Sequence, residues 1–402
     1  MRVLLADKLA PMVAGRLQDL GADVHVRADL SGEALTAALK ELDPSVLVVR
    51  STKVTAADIA AARALSLIIR AGAGVNTIDL EAASNRGVYV ANCPGKNACA
   101  VAELTIGHLV NLDRRIADNV AELRQGRWNK KGFGGARGLR GRTLAVLGCG
   151  TIGREVIHRA QALGMKVRAW SRSLTDERCE ALDVERAATP EEAVEGADAV
   201  TVHLALTPET RGRIGESIFG RMKPGAYFIN TSRGEVVDQD ALLRALDAKD
   251  LRAGLDVFAT EPSGGEAAFD DPIAKHRNVY GTHHIGASTI EAAEAVGEEV
   301  VSIVDAYAHG RLIPNCVNLA SESEATHQLV VRHQDRVGVL AGVLDVLREA
   351  GINVQEMQNI VFSGGEAACA RIEIVGEPDA ATMQKVNAHE AVYDASVTPK
   401  DA

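Results

Sequence analysis

"TLAVLGCGTIGREVIHRAQALGMKVRAW", residues 143–170, places an apolar strand, a glycine turn, a helical segment and a second strand in direct succession. The turn Gly148-Cys149-Gly150-Thr151-Ile152-Gly153 has the G-x-G-x-x-G spacing. Its glycines permit a tight turn, close approach of a pyrophosphate and close helix packing, while the helix N-terminus attracts phosphate charge. Alone, such a motif also fits a merely structural turn. Set between a strand and a helix that leads to another strand, it predicts a dinucleotide site, with Gly148, Gly150, Thr151, Ile152 and Gly153 along the phosphates.

An acid at the end of the second strand, about 20 positions onward, would favour NAD. Here the strand ends "AWSRS", so Ser171 and Arg172 occupy that place. A 2′-phosphate meets no carboxylate there; it can pair with Arg172 and accept a hydrogen bond from Ser171 or Ser173. The alternative is a solvated loop arginine. The cofactor is therefore NAD or NADP, and this pair suggests NADP.

Outward from this stretch the same rhythm continues. "ADAVTVHL", "AYFINTS", "RAGLDVF" and "RNVYGTHH" follow it, and "RVLLA", "DVHV", "SVLVVR", "LSLIIRAG" and "GVYVANC" precede it. Unbroken β-branched runs suit strands covered on both faces, so two parallel α/β sheets are expected. Between them "VAELTIGHLVNLDRRIADNVAELRQGRW" has helical spacing over its whole length and predicts one crossing helix. A second long helix is expected from Ser288, capped by a Ser288–Glu291 box in "STIE", to near Gly310. The chain thus leaves its first domain and returns to it. After the polar linker 311–327, the tail reads strand, helix, strand, strand, helix, strand, a small βαββαβ domain.

The 402 residues exceed one hydrophobic core, and 47% hydrophobic with 24% charged residues describes an ordinary α/β protein. A formal charge of -10 disfavours binding to nucleic acid through phosphates. Six scattered cysteines without a C-x-x-C pair read as buried reduced thiols, and no metal site is expected. No run reaches the roughly 18 apolar residues of a membrane span, and the N-terminus does not read as a signal peptide. A cytoplasmic protein is expected.

Three pieces stand at the ends of later strands, where open α/β sheets bind ligands: "NTSRGEVVD" with Arg233, "AGLDVFATEP" with Asp256 and Glu261, and "GTHHIGAST" with His283 and His284. Redox chemistry on an α-keto acid needs a cation for the carboxylate, a proton donor for the carbonyl oxygen and an acid that holds the donor charged. Arg233, one of the histidines and Glu261 supply these types.

Together with "AGAGVNTID", "CPGKNACAVAELT" and "IGAST", these pieces make the chain resemble the D-isomer-specific 2-hydroxyacid dehydrogenases. Over its whole length it is similar to the bacterial D-3-phosphoglycerate dehydrogenase branch, which carries a C-terminal ACT domain. The resemblance implies a flavodoxin-like substrate domain (1–98 and 287–318), a Rossmann-type dinucleotide-binding domain (99–286) and an ACT regulatory domain (325–402). It implies NAD(P)-dependent oxidation of D-3-phosphoglycerate to 3-phosphohydroxypyruvate, the first step of L-serine biosynthesis, by a homodimer or homotetramer. Arg233 would anchor the substrate carboxylate and carbonyl, Glu261 would partner the catalytic histidine, and Thr231 and Asp256 would lie at the cofactor. The amides around Ala73 and Gly74 would hold the carboxylate.

The family pattern T-P-H-I-G aligns His284 with the catalytic histidine and puts His283 in place of proline. Neighbours on an extended segment point to opposite sides, so only one histidine should face the cleft. His284 is expected there, with His283 half-exposed and without a task. Arg50 and Lys53 resemble the family's R-S-x-T-K region with one residue fewer between Ser51 and Lys53; Arg50 and Asn97 are candidate substrate contacts, and Lys130 could add charge, either across a dimer interface or as a solvated surface lysine. In the tail, His333, Asp335 and Asn353 match the ACT effector positions, which implies L-serine or another amino acid as ligand; Asp335 and Val337 replace the usual asparagine and proline. Two other readings stay open: a glyoxylate or hydroxypyruvate reductase using NADPH, and a nonenzymatic dinucleotide-sensing corepressor.

Overall fold

The computed structural model describes residues 1–28, 30–262, 266–320 and 322–400. The chain divides into two compact units, Met1–Asn318 and Leu319–Ala402. Within the first unit, β1 (Arg2–Leu5), β2 (Asp23–Val26), β3 (Val46–Val49), β4 (Leu67–Arg70) and β5 (Tyr89–Asn92) form a parallel sheet in the order β2-β1-β3-β4-β5. This is the flavodoxin-like order.

Alternate residues of these strands feed two cores. Val3, Leu5, Val46, Val48, Leu67 and Ile69 pack on one face with Val300, Val301, Ile303 and Val304 of the returning Ile290–Ala308 helix. Leu4, Leu47, Ile68 and Val90 pack on the other with Leu35, Leu39 and Ile59. All four residues of β3 are buried, as strands covered on both faces require.

The second sheet has seven parallel strands in the order β12-β11-β10-β9-β6-β7-β8. They are β6 (Thr143–Leu147), β7 (Lys166–Trp170), β8 (Glu185–Arg186), β9 (Ala199–Val202), β10 (Tyr227–Asn230), β11 (Arg252–Leu255) and β12 (Val279–Gly281). Strand order reverses at β6, the strand that carries the glycine turn, and ligands bind open α/β sheets beyond such a point.

Two local expectations are corrected. The single crossing helix is two, Ala98–Arg114 and Ile116–Arg124, because Arg115 takes a left-handed conformation with φ 51°. Its guanidinium lies 4.9 Å from the Phe133 ring centroid and bonds Asp118, contacts that help hold a conformation costing about 1–2 kcal/mol. The long second helix begins at Ile290, with Thr289 as its cap; the Thr289 hydroxyl accepts from Ala292 N at 3.0 Å. Ser288 lies one residue too early for the predicted box. Of the cysteines, Cys93 and Cys179 are buried, whereas Cys99 is exposed. Among the described residues no helix is long and apolar enough to cross a membrane.

The second unit contains β13 (His327–Gln334), β14 (Val354–Val361), β15 (Ala367–Ile374) and β16 (Val392–Pro399) in an antiparallel sheet ordered β14-β15-β13-β16. Leu329, Val331, Ala370, Ile372 and Ile374 meet Val343, Leu347 and Val386 of two helices on one face. The predicted βαββαβ order is present.

Candidate active site

The C-terminal ends of β3, β4, β11 and β12 open onto a cavity of about 890 Å³. Arg50, Arg70 and Asn97 line it from the first sheet's side; Glu261, His283 and His284 line it from the second.

His284 follows β12 and has φ 52°. Its Nδ1 lies 2.7 Å from Glu261 Oε2, while Glu261 Oε1 accepts from the Phe258 amide at 2.8 Å. Partial burial pushes the Glu261 carboxyl up. The His284 and Phe258 hydrogen bonds outweigh this, with weaker help from the His284 and Arg233 charges, and hold it below the usual carboxylate range. The left-handed residue also overturns the alternation argument. Alternation requires extended backbone at both histidines, and with His284 turned back, His283 and His284 line the same cavity. His283 is exposed.

Arg233 is presented by a loop that Asn230 ties together: Asn230 Nδ2 donates to Arg233 O at 2.9 Å, and Asn230 Oδ1 accepts from Ser232 N and Oγ at 3.0 and 2.7 Å. The guanidinium approaches Gly74 so closely that a Cβ there would stand 2.9 Å from Nη2. Ala73 and Gly74 are partly buried beside it. Gly234 backs the loop, since a Cβ would meet Phe258 C at 2.1 Å.

Arg70 was not singled out in the sequence, where it reads as the last residue of an apolar strand. The signal was there: a cation closing "LIIR" at the ligand-binding end of a parallel sheet. Its Nε is buried without a hydrogen-bond partner. Burial first, then the Arg233 and Arg50 charges, lower its pKa. Arg50 and Arg70 both line the cavity, and a buried guanidinium N–H without a partner is suited to hold an anion there. Arg50 is held by Asp7, whose Oδ2 accepts from the amides of Arg50, Ser51 and Thr52 at 2.6, 3.1 and 3.0 Å. Asn97 caps no helix amide, and its buried Oδ1 has no partner. Lys53 and Lys130 are exposed and do not line the cavity.

The glycine turn fits a dinucleotide. A Cβ on Gly153 would stand 2.0 Å from Gly148 O, and one on Gly148, where φ is 104°, would stand 2.5 Å from His203 O; Gly150 faces open space. The Thr151–Ala162 helix has neither a side-chain cap nor an acid in its first turn, so its first amides are left for an anion. Ile152 is partly buried, and Thr151 is exposed, its Cγ2 3.4 Å from where a Cβ on Gly95 would be. A second cavity beside the turn is lined by Cys149, Gly150, Arg154, Ser173 and Arg178. Ser171 is partly buried and Arg172 exposed. Thr231 is buried, with its hydroxyl 2.9 Å from that of Thr105.

Asp256 is 1% exposed, and its carboxylate accepts from Thr282 Oγ1, Ile285 N and Gly286 N. One acceptor position remains on Oδ2.

In the second unit, His333 is buried, with Nδ1 2.7 Å from Gln334 O and Nε2 3.2 Å from Asn359 Oδ1. Asp335 and Asn353 are exposed.

Residues 106–286 match the model of the D-isomer specific 2-hydroxyacid dehydrogenase NAD binding domain. The chain is 41% identical over 327 residues to D-3-phosphoglycerate dehydrogenase of Rattus norvegicus, covering 81% of this chain and 60% of that protein. With the enzyme of that name from Mycobacterium bovis it is 36% identical over 380 residues, covering 93% and 68%. It thus spans about 60% of the length of the first curated relatives it matches. Among solved structures, a protein from Thermus thermophilus superposes with a TM-score of 0.70 at 32% identity, covering 79% of this chain and 100% of that one. The cofactor (NAD+) bound 3-phosphoglycerate dehydrogenase of Entamoeba histolytica superposes with a TM-score of 0.66 at 26% identity, covering 79% and 99%.

Proposed function

The chain belongs to the D-isomer-specific 2-hydroxyacid dehydrogenase family, and we propose that it oxidises D-3-phosphoglycerate to 3-phosphohydroxypyruvate, the entry to L-serine biosynthesis. The observation that carries this reading is that Arg50 and Arg70 line the cavity together with the His284–Glu261 pair, with the Arg233 charge close enough to act on Arg70. A substrate with a carboxylate at one end and a phosphate at the other matches such a site. The identity to enzymes of that name supports it.

In this mechanism Arg233 and the amides around Ala73 and Gly74 hold the carboxylate, and Arg50, Arg70 and Asn97 hold the phosphate end. His284 Nε2 takes the C2 hydroxyl proton, because Nδ1 is committed to Glu261. The Glu261 carboxylate stabilises the imidazolium that forms. A nicotinamide dinucleotide, when bound, would supply the hydride acceptor. Gly148, Gly150, Thr151, Ile152 and Gly153 would hold its pyrophosphate, Thr231 would lie beside it, and Asp256 would offer its remaining acceptor to the carboxamide. Reduction reverses each step.

NAD is supported by the matched NAD binding domain. Exposed Arg172, with Ser171, favours NADP as the preferred form. The proposed domains are 1–98 with 287–318 for substrate, 99–286 for the dinucleotide and 325–402 as an ACT domain binding an amino acid through His333, Asp335 and Asn353 in a cytoplasmic homo-oligomer. Steady-state turnover of 3-phosphoglycerate, hydroxypyruvate and glyoxylate with each cofactor tests the assignment. Absence of turnover with the phosphorylated acid rejects it in favour of a glyoxylate or hydroxypyruvate reductase.

A further inference from the structure

Beneath the His284 loop runs a chain of polar contacts that ends on Asp256 and includes two residues, His108 and Thr282, to which the reaction as described gives no role. His108, 4% exposed on the Ala98–Arg114 helix, has Nε2 3.2 Å from Thr282 Oγ1, and Thr282 Oγ1 lies 2.6 Å from Asp256 Oδ1. An ionised carboxylate only accepts, so the single Thr282 proton is committed to Asp256. Thr282 Oγ1 is then the acceptor for His108, whose Nε2 carries a proton. Burial lowers the His108 pKa against the weaker upward pull of the Asp256 charge, and so favours the neutral ring.

Three further acceptor positions of Asp256 are taken by the loop. Its carbonyl accepts from His284 N at 2.8 Å, Oδ1 from Ile285 N at 2.9 Å and Oδ2 from Gly286 N at 2.8 Å. Three consecutive amides hang on one residue, and the first belongs to a histidine at φ 52°. Room for the His108 ring comes from Gly254, where a Cβ would stand 2.8 Å from His108 Cβ and 3.0 Å from its Nδ1.

We propose that His108 and Thr282 are positioning residues for proton transfer: their two hydrogen bonds fix the Asp256 carboxylate on the 285–286 amides and so keep His284 in the left-handed conformation that sets its ring on Glu261. The proposal rests on His284 as the proton carrier. His108 does not line the cavity and Thr282 does, but the contact that both share is with Asp256, and both act through it.

The test compares Thr282→Val, Thr282→Ser, His108→Met and His108→Gln with the parent in the full chain. It uses whichever 2-keto acid the enzyme reduces fastest and reads kcat, KM, the isotope effect from 4-deuterated reduced cofactor, and the thermal midpoint. Thr282→Val and His108→Met are expected to lower kcat about 10- to 100-fold and raise the isotope effect, with KM changed less than about twofold. Thr282→Ser and His108→Gln keep a donor in place and should stay within about threefold of the parent kcat. Thr282→Val is isosteric and carries the test alone if His108→Met does not fold. Parental kcat and isotope effect in Thr282→Val, even with a lowered thermal midpoint, overturn the proposal and leave the His284 reading standing. Parental kcat in His284→Asn overturns both.

Discussion

Nδ1 of His284 lies 2.7 Å from Oε2 of Glu261, and the other oxygen of that carboxylate is held by the Phe258 amide. The pair is oriented from the Glu261 side before any substrate arrives, and Nε2 is the ring nitrogen left for chemistry. Glu261→Gln keeps the shape and removes the charge that stabilises the imidazolium. It should lower kcat/KM for reduction about 100-fold while leaving the cofactor KM unchanged, which steady-state kinetics can check.

The same pair sets the pH dependence. Glu261 is held below the usual carboxylate range, against the upward push of burial, so it stays ionised through neutrality and is protonated only in acid. Both directions need the Glu261 carboxylate on the His284 ring, so both should lose rate in acid as pH falls through the lowered Glu261 range. Rate profiles measured in both directions should fall together on the acid side; rates that hold there would remove Glu261 from the proton path.

Arg70 is lowered by burial and then by its neighbours Arg233 and Arg50, and an anion between them relieves that repulsion. Arg70→Leu should raise KM for the phosphorylated acid by about 10- to 100-fold, the equivalent of one charge-assisted hydrogen bond of about 1.5–3 kcal/mol. KM for an unphosphorylated 2-keto acid should change little. Equal losses with both substrates would place the phosphate elsewhere.

Cofactor preference should turn on Arg172. Arg172→Asp puts a carboxylate where a 2′-phosphate would bind and should shift the ratio of kcat/KM toward NAD by about 100-fold or more. An unaltered ratio would leave Arg172 a solvated surface residue.

His108 carries a stability prediction. Its folded pKa is lowered, chiefly by burial, so the unfolded chain binds the extra proton first. The stability linked to this ring is complete above the unfolded value of about 6.5 and is lost as pH falls from there toward the folded value. Urea unfolding should show a steeper loss of stability between about pH 7 and pH 5 in the parent than in His108→Gln.

Features that depend on consecutive residues were legible in the sequence. The strand, Gly148–Gly153 turn and helix could be read as one piece, and Arg233, Glu261 and His284 each stood at the end of a strand where ligands gather. Features decided by a single backbone angle left no periodic trace. A left-handed Arg115 splits one expected helix, and a left-handed His284 brings its neighbour into the same cavity. The helix cap moved from Ser288 to Thr289 because two adjacent residues both suit that role and only the register decides. The Arg70, His108 and Thr282 contacts join residues that lie far apart along the chain. No spacing rule announces a helix imidazole 174 positions from the hydroxyl it meets.

The most direct measurement is the rate of hydride transfer with 3-phosphohydroxypyruvate and reduced cofactor for the parent and for His284→Asn. If His284 carries the proton, the parent turns over and the variant loses about 10³-fold or more, with both binding the cofactor equally. A parent that does not reduce the phosphorylated acid, or a variant that keeps the parental rate, would contradict this.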